Sequence, residues 1–306
     1  MSKTAREFSV PKLRNKDKRR KVLPAIHPNA GVTEWYADQL RVVLQEAVAD
    51  AVMMLTAVLG AEPVPVGIIA RDSIVRTFFS LPWDPVYVIA KDAPPKVTQV
   101  DKALKKWGDK WQRKFDKLST DVSAKFAKRS FASTDIAMKA ALRNAGFTVS
   151  FKPTRKSLEA YKLVVADNVG LIRNLQQNLY NKIQQDTWAS VRAGGNMADL
   201  SAKLHQSYGI EANRAALIAR DQNNKAKAVL ESSRRQQLGL RKAIWQHSSA
   251  GKEPRPVHQA WGREGKMFDL DKGLYDTDEG QWVLPGTLIN CRCSSRAIIP
   301  GLEDED

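Results

Sequence analysis

Four side chains toward the C-terminal end are of types that ligate a transition metal: His247, His258, Cys291 and Cys293. Two sulfurs and two imidazoles make a tetrahedral zinc set. The thiols are the only two cysteines in 306 residues, parted by one arginine in Pro285-Gly-Thr-Leu-Ile-Asn-Cys-Arg-Cys293. On a strand, residues i and i+2 face one side, so both sulfurs could meet one ion. The same alternation would turn both into a core, where cysteine behaves as a small hydrophobe. Gaps of 11 residues between the histidines and 33 from His258 to Cys291 match no standard finger. Packing or hydrogen bonding is the expected role, with zinc ligation as the alternative. A disulfide across so small a ring is a third reading.

His258 with Asp269, Asp271 or Asp276 could also assemble an acid/base site, as in a metal-dependent nuclease. No P-loop, dinucleotide fingerprint, His-Glu-x-x-His or nucleophile elbow accompanies them. The acidic residues of 269–279 lie between glycines, so a solvated loop is the simpler expectation. The sequence reads as non-enzymatic.

The elements that must position these residues are mostly helices. Apolar residues at helical spacing predict helices over Thr33–Leu59, with Thr33 as cap, and over 155–192. The most regular stripe is Val97, Val100, Leu104, Trp107, Trp111, Phe115, Leu118, Val122 and Phe126. Trp107 and Trp111 lie within it, which favours packing over base stacking. Val86-Tyr-Val-Ile89 and Phe147-Thr-Val-Ser-Phe151 read as short strands. Gly194-Gly195 breaks the chain, and Asn196 caps a short helix that Gly209 closes. A further helix over about 211–237 stops at Gly239. Beyond it, Lys242–Trp245 and Gln281–Leu284 are β-like. The fold class is therefore mainly α, with long amphipathic helices in the N-terminal two thirds and a small C-terminal α+β module. Segment boundaries fall at a basic arm 1–30, a basic helical region 31–153, helices 154–240, the α+β module 241–301 and an acidic tail 302–306.

Net charge is +16, and its distribution is uneven. Residues 1–239 carry 40 basic against 22 acidic side chains, whereas 240–306 carry 9 against 11. Such an excess favours polyanions such as double-stranded DNA. The candidate contacts are Lys12, Arg14, Lys16, Lys18, Arg19, Arg20 and Lys21 in the arm. On the stripe helix they are Lys102, Lys105, Lys106, Lys110, Arg113, Lys114 and Lys117. Two cysteines make no disulfide framework. The longest apolar stretch, Ala47–Leu59, is too short to span a bilayer and carries Asp50, so no membrane partner is expected.

From about residue 165 to 301 the motifs follow a recognisable order. Asn168-Val-Gly-Leu-Ile172 precedes the glycine break, and Ala216-Leu-Ile-Ala-Arg-Asp-Gln222, with Arg220 and Asp221, lies on a long helix. Trp245, Arg255-Pro-Val-His258, Gly262 and Phe268 follow, then Pro285, Gly286, Asn290, Cys291, Arg292 and Cys293. This order resembles the phage Mu F-like minor head proteins, the phage head morphogenesis family. The resemblance implies a virion protein of the head interior near the portal, acting in head morphogenesis and DNA packaging or delivery. It implies the portal protein, major capsid or other head proteins and DNA as partners. Many relatives carry an upstream Cys-x-x-Cys and a His shortly before the closing pair. This chain has Arg255-Pro-Val-His258 and Asn290 instead, so the four-cysteine metal pattern is absent. Arg220 and Asp221 are expected to bridge to the C-terminal module, for example through Arg292, with a portal contact as the alternative. The rival reading is a cytoplasmic nucleic-acid-binding protein or metal-dependent nuclease.

Overall fold

The structure, a computed structural model, describes residues 22–59, 97–193, 196–249 and 253–300, with 62–64 and 86–88 as backbone only. Helices α1 (Ala30–Leu59), α2 (Val97–Asn144), α3 (Arg155–Arg192) and α4 (Met197–Gln237) account for most of it. Strands β1 (Glu62–Val64) and β2 (Val86–Val88) pair antiparallel. The C-terminal module holds β3 (Lys242–Gln246), α5 (Pro256–Glu264), β4 (Met267–Asp269), β5 (Leu274–Asp276), β6 (Gln281–Val283) and β7 (Ser294–Ala297). The mainly α class with a small strand-containing end is as the periodicity predicts.

Three local expectations are corrected. Asn29, not Thr33, caps α1: its side-chain oxygen accepts from the N–H of Val32 at 3.2 Å. Thr33, one turn in, accepts from Asn223 instead. Residues 147–151 form no strand. The helix before them ends with Phe147 N–H on Leu142 O and Gly146 N–H on Arg143 O, and Phe147 then packs with Leu142. Gly209 does not close a helix, since α4 runs through it unbroken. A helix-interior glycine costs only about 1 kcal/mol, which the buried residues on both sides, from Leu200 and Leu204 to Ala215 and Ala219, outweigh.

The chain divides into two compact units. One comprises Gln39–Ser119 and Leu171–Ala215. In it the stripe is core: Leu104, Trp107, Trp111 and Phe115 are buried, as are Leu40, Leu44, Ala47 and Leu55 of α1. Asp50, the charge that interrupts the apolar stretch, accepts the indole N–H of Trp111 at 2.7 Å and pairs with Lys110. Lys114 pairs with Glu46 and lies over the Trp111 ring. By length and composition α1 is long and apolar enough to cross a bilayer, contrary to the sequence expectation, with a window of mean hydropathy 1.8. Its packed stripe and its charge pairs with α2 are those of a core helix.

The other unit comprises Met1–Asp38, Thr120–Gly170 and Ala216–Asp306. Its helical part is tied by buried polar groups. Asn223 donates to Asn29 O and Thr33 Oγ1 and accepts from Ser130. Arg234 forks onto both oxygens of Asp135 at 2.8 and 2.9 Å. The module is a three-stranded antiparallel sheet in the order β4-β3-β7, plus the β5–β6 hairpin. On β3 the alternation buries Ala243 and Trp245 on one face. Residues 22–26, within the span that the charge pattern assigns to the arm, lie along β7: Leu23 N–H bonds Ala297 O at 2.9 Å, and Leu23 and Ile26 are buried. Lys12, Arg14, Lys16, Lys18, Arg19, Arg20, Lys21 and the acidic tail lie outside the described residues.

Candidate functional site

Helix α5 opens with Pro256 in its first turn and closes on Gly265. Its inner face carries His258 and Trp261, one turn apart, whose rings stack at 5.2 Å. Trp245 from β3 meets both edge-on, at 4.9 and 4.8 Å, and Phe268 from β4 completes the aromatic shell. The imidazole of His258 is thereby fixed in place, 2% exposed.

Both nitrogens of that ring are engaged. Nε2 lies 3.0 Å from Asp276 Oδ2, and Asp276 is fully buried. Asp276 Oδ1 accepts from the N–H groups of Asp278 and Glu279, closing the turn between β5 and β6. Asp276 is thus not part of a solvated loop. Of the three aspartates considered with His258, it is the partner. Asp269 instead accepts the N–H of Asp271, and Asp271 takes Gln236 and Arg241. On the other side, Nδ1 faces Cys291 Sγ at 3.7 Å and Cys293 Sγ at 3.8 Å.

The two thiols converge although they lie on no strand. Cys291 and Cys293 belong to the extended segment just before β7, so the expected closing strand starts one residue later, at Ser294. Both are free and buried, and the disulfide alternative is not formed. The residues around them explain the motif. Leu284 O accepts from Thr287 N–H across Pro285 and Gly286, with Gly286 at φ 87, the arrangement of a type II turn. A side chain at Gly286 would be strained there and would crowd Cys293 O at 3.3 Å. Asn290 takes φ 58, which asparagine tolerates better than most residues. Its N–H donates to Asp221 Oδ1 at 2.8 Å, while Asp221 Oδ2 pairs with Lys225. Asp221 therefore meets the C-terminal module at the backbone of Asn290. Arg220 is held below its ordinary pKa, first by burial and then by the like charge of Arg292.

Electrostatics divides the thiols. The Cys291 thiol is pushed down, first by a hydrogen bond from Cys293 and then by His258 and the N–H of Gly286. Cys293 is pushed up, first by that same pairing and then by burial and the neighbouring negative charge. One proton shared between two sulfurs accounts for both directions. His247, at the end of β3, stays outside the cluster: the ligand atoms of His258, Cys291 and Cys293 lie within 4.8 Å of one another without it. Its pKa is lowered first by burial and then by His258. Of the four side chains considered as ligands, three are brought together here.

Elsewhere, Lys102, Lys105, Lys106, Lys110, Arg113, Lys114 and Lys117 are all exposed on α2. Lys105, Lys110 and Lys114 pair with Asp101, Asp50 and Glu46. No ion pair within the described residues engages Lys102, Lys106, Arg113 or Lys117.

Sequence reasoning missed a second buried network. Glu231, one turn from both partners on α4, binds Lys227 Nζ at 3.2 Å and the guanidinium of Arg235. Arg235 also donates to Ser295 Oγ and O on β7. The i, i+4 spacing of Lys227, Glu231 and Arg235 was a readable signal, but such pairs are ordinarily solvated.

Residues 181–296 match the family described as Phage Mu protein F like protein. An uncharacterised protein of Haemophilus influenzae is 27% identical over 210 residues, which are 67% of this chain and 44% of that protein. The chain therefore spans less than half the length of that relative. No solved structure matches. The matched segment contains α4 and the His258–Asp276–Cys291–Cys293 cluster together with the Pro-Gly turn that shapes it, and it identifies residues 181–296 as a phage Mu F-like region, the family of the ordered motifs.

Proposed function

We propose that this is a minor head protein of a tailed phage, placed inside the capsid near the portal and free of catalytic activity. The Mu F-like match over 181–296 supports a role in head morphogenesis among other head proteins. The finer placement rests on charge. Helix α2 carries 12 basic against five acidic residues, and its exposed lysines suit a polyanion such as packaged DNA. The C-terminal module, with no such excess, is the better face for protein partners. Burial of His258, Asp276 and both cysteines favours a structural over a catalytic role, since a reacting group must reach substrate.

The test is isolation of procapsids from cells producing the head proteins with and without this chain. Co-sedimentation of the chain with the portal protein, in few copies per particle, is the expected result. Absence from particles, combined with cleavage of DNA that needs a divalent metal, would establish the nuclease alternative instead.

A further inference from the structure

The geometry points to a zinc site formed by Cys291, Cys293 and His258, with Asp276 as the residue that orients His258. Tetrahedral zinc, with Zn–S of about 2.3 Å and Zn–N of about 2.0 Å, separates sulfur from nitrogen by about 3.5 Å. The two separations here are 3.7 and 3.8 Å. As plain hydrogen bonding the arrangement is poor, because two sulfurs lie within 3.8 Å of one imidazole nitrogen that has a single lone pair. A single cation at the shared focus satisfies all three groups.

Three further observations agree. A carboxylate on the far nitrogen of a ligating histidine selects its tautomer and raises its basicity. Asp276 stands there, held by two backbone N–H groups, so Nε2 carries the proton and the Nδ1 lone pair faces the sulfurs. The indole N–H of Trp245, in the aromatic shell around His258, is buried with no hydrogen-bond partner, which a neutral packed cluster leaves unexplained. Finally, two adjacent thiolates repel in a buried site, and a divalent cation removes that conflict. His247 lies outside this set, so the ligands assigned from the protein are these three.

The test uses the full chain without a polyhistidine tag, purified under reducing conditions. About one zinc per chain is expected by elemental analysis. Titration of chelator-stripped protein with Co²⁺ should give the absorption of thiolate-to-cobalt charge transfer. Cys291→Ser/Cys293→Ser should lose both signals and His247→Ala should keep both. Asp276→Asn should weaken zinc about 10- to 100-fold in competition with a chromogenic chelator. Should the double serine variant fail to fold, the wild-type metal content and the cobalt spectrum still decide. Wild-type protein with neither zinc nor a cobalt signal overturns the site, as does metal retained without the cysteines. Loss of metal in His247→Ala overturns the three-residue ligand set, and unchanged affinity in Asp276→Asn overturns the orienting role.

Discussion

Helix α2 and the α4–module junction use polar residues in opposite ways. On α2 the basic side chains are exposed, and those that pair do so at the surface, as Lys105 with Asp101 and Lys114 with Glu46. At the junction Lys227, Glu231 and Arg235 are each at most 3% exposed, and Arg235 reaches across to β7. Water screens the first set, so its charge remains directed at whatever approaches from outside. Desolvation makes the second set depend on its own partners. Burial pushes the Arg235 guanidinium down and Glu231 counters it. The same residue types thus face solvent in one place and fix register in the other.

The sharpest way to break this contrast is Glu231→Ala, which strands a lysine and an arginine without their shared carboxylate. A loss of about 3–5 kcal/mol in urea unfolding is expected, and a loss below about 1 kcal/mol would mean the network is hydrated. Next comes Gly262→Ala on α5. The added Cβ would lie 2.4 Å from His247 Cβ and 2.9 Å from its backbone nitrogen. Overpacking of about 1–3 kcal/mol should follow, seen as a lower Tm.

Glu211→Gln tests buried charge in the other unit. Burial raises the Glu211 carboxyl above its ordinary range, Arg214 partly offsets this, and Oε2 has no partner. A folded-state pKa above the unfolded one means that the fold favours the neutral acid. Its contribution is present at low pH and is lost as pH rises through the raised value. The glutamine variant should be more stable by a few tenths of a kcal/mol at neutral pH. It should also fall less in stability between acid and neutral pH, as denaturation at several pH values will show.

Lys102→Glu/Lys106→Glu/Arg113→Glu should act on binding rather than on folding. Stability should move by under about 1 kcal/mol in total. DNA affinity should fall, and its log–log salt slope should flatten by about 0.9 for each phosphate no longer neutralised. Unchanged DNA binding would show that α2 is not the polyanion face.

Much of this was legible in one dimension. The 3.6-residue stripe of α2 marked Trp107 and Trp111 as core, and α3 ends where the periodicity fails, because burial repeats along a helix as its residues do. Charge segregation and the order of the Pro-Gly, Asn and Cys-x-Cys motifs are likewise properties of the sequence, and those motifs fall within the matched residues 181–296. Other features were beyond its reach. Gly209 looks like a helix stop until the packing on both sides of it is known. Asp276 looks like one more loop carboxylate until the β5–β6 turn carries it beneath His258, 18 residues away in sequence. The convergence of two sulfurs on one imidazole nitrogen across 33 and 35 residues is likewise decided by the packing of α5 against β3 and the segment before β7. Periodicity and composition are local and survive in the sequence, whereas a distance between remote side chains exists only once the sheet and helix have been assembled.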